Sequence, residues 1–138
     1  MKARVKWVED VTFVGECDSG HAVVMDGPPE SGGKNRGLRP MEMLLVGMGG
    51  CTAFDVVVIL KKARQPVVDC EVLVDAERAP DPPKVFTRIH VHYRVRGDGL
   101  SEAQVKRAID LSSQKYCSAS VMLGKTAAIT HDYEILEG

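Results

Sequence analysis

Residues 39–65, RPMEMLLVGMGGCTAFDVVVILKKARQ, read as one long helix, and the rest of the chain has to be fitted around it. Pro40 suits the first turn, where its missing N–H would be unpaired anyway. Glu42 puts negative charge in that turn, and Lys61, Lys62 and Arg64 put positive charge in the last, both complementing the helix dipole. Between them lie Met41, Leu44, Leu45, Met48, Cys51, Phe54, Val57, Val58 and Leu60. A helix apolar on nearly every face is normally a buried one.

Gly47, Gly49 and Gly50 break this pattern, each costing about 1 kcal/mol against alanine in a helix interior. Close approach by another backbone would offset that cost. Cys51 follows directly, with Asp55 one turn on. The thiol has two readings, an inert small core residue or a reactive group, since free cysteine is commonly buried.

At 138 residues the chain makes one domain, 1–138, with a real core and no room for a second of ordinary size. Eighteen basic and 19 acidic residues are spread along it, which argues against a nucleic-acid patch or a polybasic membrane anchor. The start, MKARVKWVEDV, alternates charged and apolar residues, unlike a secretory signal, and makes the cytoplasm the expected location. Glu42, the glycines and Asp55 interrupt the apolar helix and argue against a membrane span. Cys17, Cys51, Cys70 and Cys117 form no C-x-x-C pair, so neither a zinc ribbon nor a thioredoxin-type motif is expected, and no metal or cofactor with them. In a cytosolic chain these are free thiols.

Residues 2–8 alternate as a half-buried strand with Ala3, Val5 and Trp7 on one face. Residues 12–16 and 21–25 read as two more strands around the turn CDSG. Residues 26–38, DGPPESGGKNRGL, form a loop long enough to be either functional or a mobile surface connection. Strands follow at 67–77 and 85–95, separated by the turn PDPPK. In the second of them Phe86, Arg88, His90, His92 and Arg94 share one face. The His90–His92 pair suggests a metal, but the arginines beside it would repel one, so that face is read as solvated. Ser101 caps a second helix with Val105, Ala108, Ile109 and Ser112 on its buried stripe. Cys117 then stands where a short helix would open, a position that lowers a thiol pKa. Residues 127–136 close the chain as a strand.

The order βββ–α–ββ–α–α–β predicts an α+β fold with mostly antiparallel sheets. A helix of about 25 residues spans roughly 37 Å, more than one 15 kDa subunit readily covers. The expected solution is an intertwined homodimer with sheets wrapped around long central helices and a self-complementary interface.

PMEMLLVGMGGC at 40–51 and KYCSASVML at 115–123, with their cysteines in this order, resemble the OsmC/Ohr family, and the resemblance extends from ARVKW at 3–7 to ITHDYEI at 129–135. It implies interlocked dimers and reduction of organic hydroperoxides. Cys51 would be the attacking thiol, Cys117 the resolving one, and an external dithiol would reduce the resulting disulfide. Family members that begin this helix with PEEL or PEQL use the glutamate to hold an arginine beside the thiolate. Here Met41 takes that position and Glu42 is shifted by one residue, about 100° around the helix. Arg4, Arg36 and Arg39 are the arginines available for that role. Two other readings remain: a dimeric binding protein for a small lipophilic ligand, and a hydrolase pairing Cys51 with His131.

Overall fold

The structure, a computed structural model, describes all 138 residues and divides into two compact units, Met1–Leu45 and Val46–Gly138. In the first unit β1 (Ala3–Glu9), β2 (Thr12–Cys17) and β3 (Ala22–Met25) form an antiparallel meander in that order. Asp10, at φ 50°, turns β1 into β2, and its carbonyl accepts the Trp7 indole N–H at 2.8 Å. The alternation in β1 is not half-buried as expected: all seven of its residues are exposed, Val5 to 60% and Trp7 to 58%. As an edge strand it pairs only with β2, and its apolar face is left open.

The Gly- and Pro-rich loop after β3 is built around one buried carboxylate. Asp26 is 1% exposed and accepts the backbone N–H groups of Gly27 (2.7 Å), Lys34 (3.1 Å) and Arg36 (3.1 Å). A parallel bridge between Met25 and Leu38 closes its base. Gly33 and Gly37 are required by space, since a Cβ would overlap the Gly27 carbonyl at one and the Val24 carbonyl at the other. Burial works against ionisation of Asp26. The N–H groups of Arg36, Gly27 and Lys34, with Thr12, outweigh it and hold the carboxyl below the usual range.

The long helix, α1 (Pro40–Lys62), starts with the Glu42 carboxylate accepting the Arg39 N–H at 2.8 Å, the back-bonding half of a capping box. It stops three residues short of Gln65. Arg64 adopts a left-handed conformation (φ 57°), and the Leu60 and Lys61 carbonyls accept the N–H groups of Gln65 and Arg64, both at 2.9 Å. That is a Schellman stop, and Pro66 follows it. The helix is apolar and long enough to cross a membrane (23 residues, hydropathy 2.1). Within the chain it buries a single stripe, Met48, Gly49, Thr52, Val56 and Leu60, while Val46 and Phe54 remain 57% and 68% exposed. The expectation of burial on nearly every face therefore fails for one chain alone.

In the second unit β4 (Asp69–Arg78), β5 (Phe86–Arg96) and β6 (Ala128–Leu136) form one sheet with β5 in the middle. β4 runs antiparallel to β5, but β6 runs parallel to it, because the chain crosses over through α2 (Glu102–Leu111) and α3 (Ser118–Leu123). The core lies where Ile89, Val91, Tyr93 and Val95 of β5 meet the buried stripes of α1 and α2. Gly49 faces Val74 and Val72 of β4, so this glycine serves close helix–sheet approach, whereas a Cβ at Gly47 or Gly50 would meet nothing within 4 Å.

Phe86 departs from the expected face. It is 5% exposed and sits with the core residues, because a bulge at Thr87 lets Arg78 pair with Phe86 and Glu77 with Arg88. On the other face the cations are interleaved with carboxylates from neighbouring strands. Asp132 accepts from His90 (2.9 Å) and His92 (2.7 Å), and Arg94 bridges Glu71 and Glu134. Asp132 thereby holds His92 above its ordinary pKa.

Replacing Asp26 with alanine strands three backbone donors and should cost about 1–3 kcal/mol at neutral pH, measured by urea unfolding. Because the folded carboxyl is depressed, its stabilisation is full above the ordinary carboxylate range and is lost as pH falls through the folded value. Asp26→Asn should therefore show a shallower loss of stability below about pH 4 than the wild type.

Candidate active site

Cys51 and Asp55 stand one turn apart on α1 and share a helix face. Cys117 arrives from the opposite direction. After α2 the chain takes a π-helical turn, Ser112–Tyr116, closed by the Cys117 N–H donating to the Ser112 carbonyl at 2.8 Å. Such turns occur often at functional sites. The turn leaves Cys117 as the N-cap of α3, its sulfur accepting the Ser120 N–H at 3.4 Å and lying 4.0 Å from the Met48 carbonyl of α1. The two Sγ atoms and a carboxylate oxygen of Asp55 all lie within 4.8 Å of one another. The cysteines paired by resemblance are thus brought together across 66 residues of sequence.

Their surroundings differ. Cys51 is half-buried and Cys117 fully buried. The helix-start position was expected to lower the Cys117 pKa. Burial instead raises it, with the nearby Cys51 adding to the rise, and the Ser120 hydrogen bonds only partly counter this. Cys117 is held as a neutral thiol. Cys70, on β4, is pushed up to about 11 by burial and by Asp69, and Cys17 is exposed on β2; neither belongs to the cluster.

A buried chain of hydroxyls supports the cluster. Tyr93 Oη lies 2.7 Å from Thr52 Oγ1, Thr52 Oγ1 2.7 Å from Ser112 Oγ, and Ser112 Oγ 3.0 Å from Asp55 Oδ2. A carboxylate can only accept and each hydroxyl has one proton, so the direction is fixed: Tyr93 donates to Thr52, Thr52 to Ser112, and Ser112 to Asp55. Burial pushes the Tyr93 phenol up to about 12, which keeps it a donor. Sequence reading missed these partners. The signal available was the i, i+4 spacing of Cys51 and Asp55; the contributions of Tyr93 and Ser112 lie 41 and 60 residues from Thr52.

The arginines considered for the thiolate all have partners within the first unit. Arg4 pairs with Glu16, Arg36 with Glu9 and Asp10, and Arg39 donates to Asn35 and the Gly37 carbonyl. Glu42 caps α1. His131, the alternative base, faces Asp110 at 3.5 Å and packs edge-on to Tyr93 rather than joining the thiols. Asp55 also forms part of a cleft of about 510 Å³ whose walls include Val58, Ile59, Leu111 and Tyr116, with Lys62 and Arg107 supplying two cations.

The fold that carries this cluster is shared with known proteins. The OsmC-like protein family profile matches residues 32–132. The chain is 54% identical over 136 residues to Protein YhfA of Escherichia coli (strain K12), covering 99% of this chain and 98% of that one. A crystal structure of an Aquifex aeolicus VF5 protein matches with a TM-score of 0.87 at 29% identity, covering 99% and 96% of the two chains. The crystal structure of an organic hydroperoxide resistance protein OsmC from Legionella pneumophila matches with a TM-score of 0.71, covering 99% and 96%. At 14% identity that last likeness is one of fold. The chain belongs to the OsmC-like family.

In native reduced protein a small alkylating reagent should modify Cys17 and Cys51 before Cys117, an order that mass spectrometry reads and denaturation abolishes. Ser112→Ala, which removes the donor to Asp55 and the acceptor for Thr52, should lower stability by about 1–3 kcal/mol. The raised Cys117 pKa gives stability that is present below the ordinary thiol range and lost as pH rises above about 8.5. Cys117→Ser should flatten that alkaline decline.

Proposed function

We propose that this protein reduces organic hydroperoxides, with Cys51 as the attacking thiol and Cys117 as the resolving one. The observation that supports this most is the approach of both sulfurs and the Asp55 carboxylate to within 4.8 Å. Cys51 sulfur attacks the distal peroxide oxygen, the O–O bond breaks, and the thiol proton goes to the departing alkoxide. The products are an alcohol and a Cys51 sulfenic acid. The Cys117 sulfur then displaces the sulfenic hydroxyl, which leaves as water with the Cys117 proton. Rapid capture by a second thiol keeps the sulfenic acid from further oxidation. An external dithiol returns the disulfide to two thiols and becomes a disulfide itself. A reducing cytoplasm suits this cycle.

The half-exposed Cys51 is the sulfur a substrate meets first, and Val58, Ile59 and Leu111 in the neighbouring cleft suit the alkyl group of an organic hydroperoxide. In the same reading the protein works as a homodimer. The exposed stripe of α1 holds Gly47, Gly50 and Phe54 at helical spacing, the small-and-large relief on which a second copy of the helix can seat. The cleft also favours a second reading, a carrier of a small lipophilic ligand that makes no use of the thiols.

Stepwise addition of cumene hydroperoxide should remove one hydrogen from each of Cys51 and Cys117 at a single equivalent, mapped by mass spectrometry and reversed by a dithiol. Cys51→Ser should abolish peroxide consumption. If both thiols stay reduced under excess peroxide while a lipophilic ligand still raises the melting temperature of Cys51→Ser, the carrier reading replaces the peroxidase. Gly50→Leu should convert the dimer to monomer by light scattering.

A further inference from the structure

We infer that reduced Cys51, Asp55 and Cys117 form a binding site for a thiophilic divalent cation, zinc by preference. Binding stands on geometry alone; its effect on turnover rests on the peroxidase reading. Three ligand atoms lie within 4.8 Å of one another, close enough to serve as three corners of a tetrahedron. Zinc–sulfur bonds of about 2.3 Å place two sulfurs roughly 3.8 Å apart, so the sulfur pair closes by no more than about 1 Å, within reach of the half-buried Cys51 side chain. Two sulfurs and one oxygen suit a borderline-soft ion and disfavour magnesium or calcium. Three protein ligands leave a fourth position for water.

The supporting groups are in place as well. Ser112 donates to Asp55 Oδ2 at 3.0 Å, orienting the carboxylate as second-sphere donors do in zinc sites. Ser120 N–H holds Cys117 at 3.4 Å. His90 and His92 differ from this cluster in that both imidazoles already bond Asp132 and the arginines beside them pair with carboxylates. In the cluster each thiol gives up its proton to solvent, and two thiolates and a carboxylate around a divalent ion leave a net charge of −1. Lys62 and Arg107, in the cleft that Asp55 lines, offset that charge. Metal and peroxide then compete for the same sulfurs: the bound ion occupies the Cys51 electron pair, and disulfide formation by a hydroperoxide removes two ligands and expels the ion.

The test is anaerobic titration of the reduced protein with zinc against a chromophoric chelator, and with cobalt(II) read by absorption. The expected result is one zinc per chain and, with cobalt, thiolate charge transfer with the intense visible bands of a tetrahedral site. Cys51→Ser and Cys117→Ser should each weaken zinc by at least about 100-fold and Asp55→Asn by about 10-fold, with circular dichroism confirming that each variant folds. Octahedral cobalt spectra, unchanged affinity in Asp55→Asn, or binding that survives in the Cys51→Ser/Cys117→Ser double variant would each overturn the site. Tight zinc binding in a wild type inert to peroxide would sustain it while removing the peroxidase reading. Peroxide turnover without zinc binding would do the reverse.

Discussion

The acceptor-only carboxylate of Asp55 is the constraint on which the second unit depends. It sets the direction of every proton in the chain from Tyr93 through Thr52 and Ser112. That chain ties β5 to α1 and α1 to the π turn, in a low-dielectric interior where such bonds strengthen one another and an unmade one is costly. The register between helix and turn is fixed in consequence, and with it the place where Cys117 emerges. No buried side-chain nitrogen or oxygen is left without a partner. The thiol pair is a product of this polar scaffold as much as of hydrophobic packing.

Most elements were legible because periodicity encodes them. The order of strands and helices, the Ser101 cap with its buried stripe of Val105, Ala108, Ile109 and Ser112, and the short helix after Cys117 follow from local rules. The misses are non-local. Strict alternation assigns Phe86 to the polar face, and only the partner strand reveals the bulge that moves it inward. The sequence of β6 says nothing of its parallel pairing, which the crossover dictates. Arg64 gives no glycine signal for the end of α1, because an arginine occupies the left-handed position glycine usually fills.

At the site the balance reverses. Cys51 and Cys117 stood out through the segments around them, and Asp55 through its spacing from Cys51. Tyr93, Thr52 and Ser112 read as an alternating strand residue and two small helix residues, since a hydroxyl's worth depends on what lies opposite it. The direction of the Cys117 pKa shift was unreadable for a related reason. A helix start favours the thiolate and full burial opposes it, and sequence does not weigh one against the other.

The parallel seating of β6 beside β5 also bears on how the molecule is born. Arg88 pairs with Ala128, and Cys51 meets Cys117, so these closures join residues far apart in the chain and carry the larger loop-closure cost. A chain leaving the ribosome from its N-terminus presents α1 before α2, the π turn or β6 exists. In the proposed cycle, Cys51 is for that interval a thiol without its resolving partner, and a sulfenic acid formed on it then would have no neighbouring sulfur to condense with. On that reading Cys51 gains its protecting sulfur only once the chain has been made as far as Cys117.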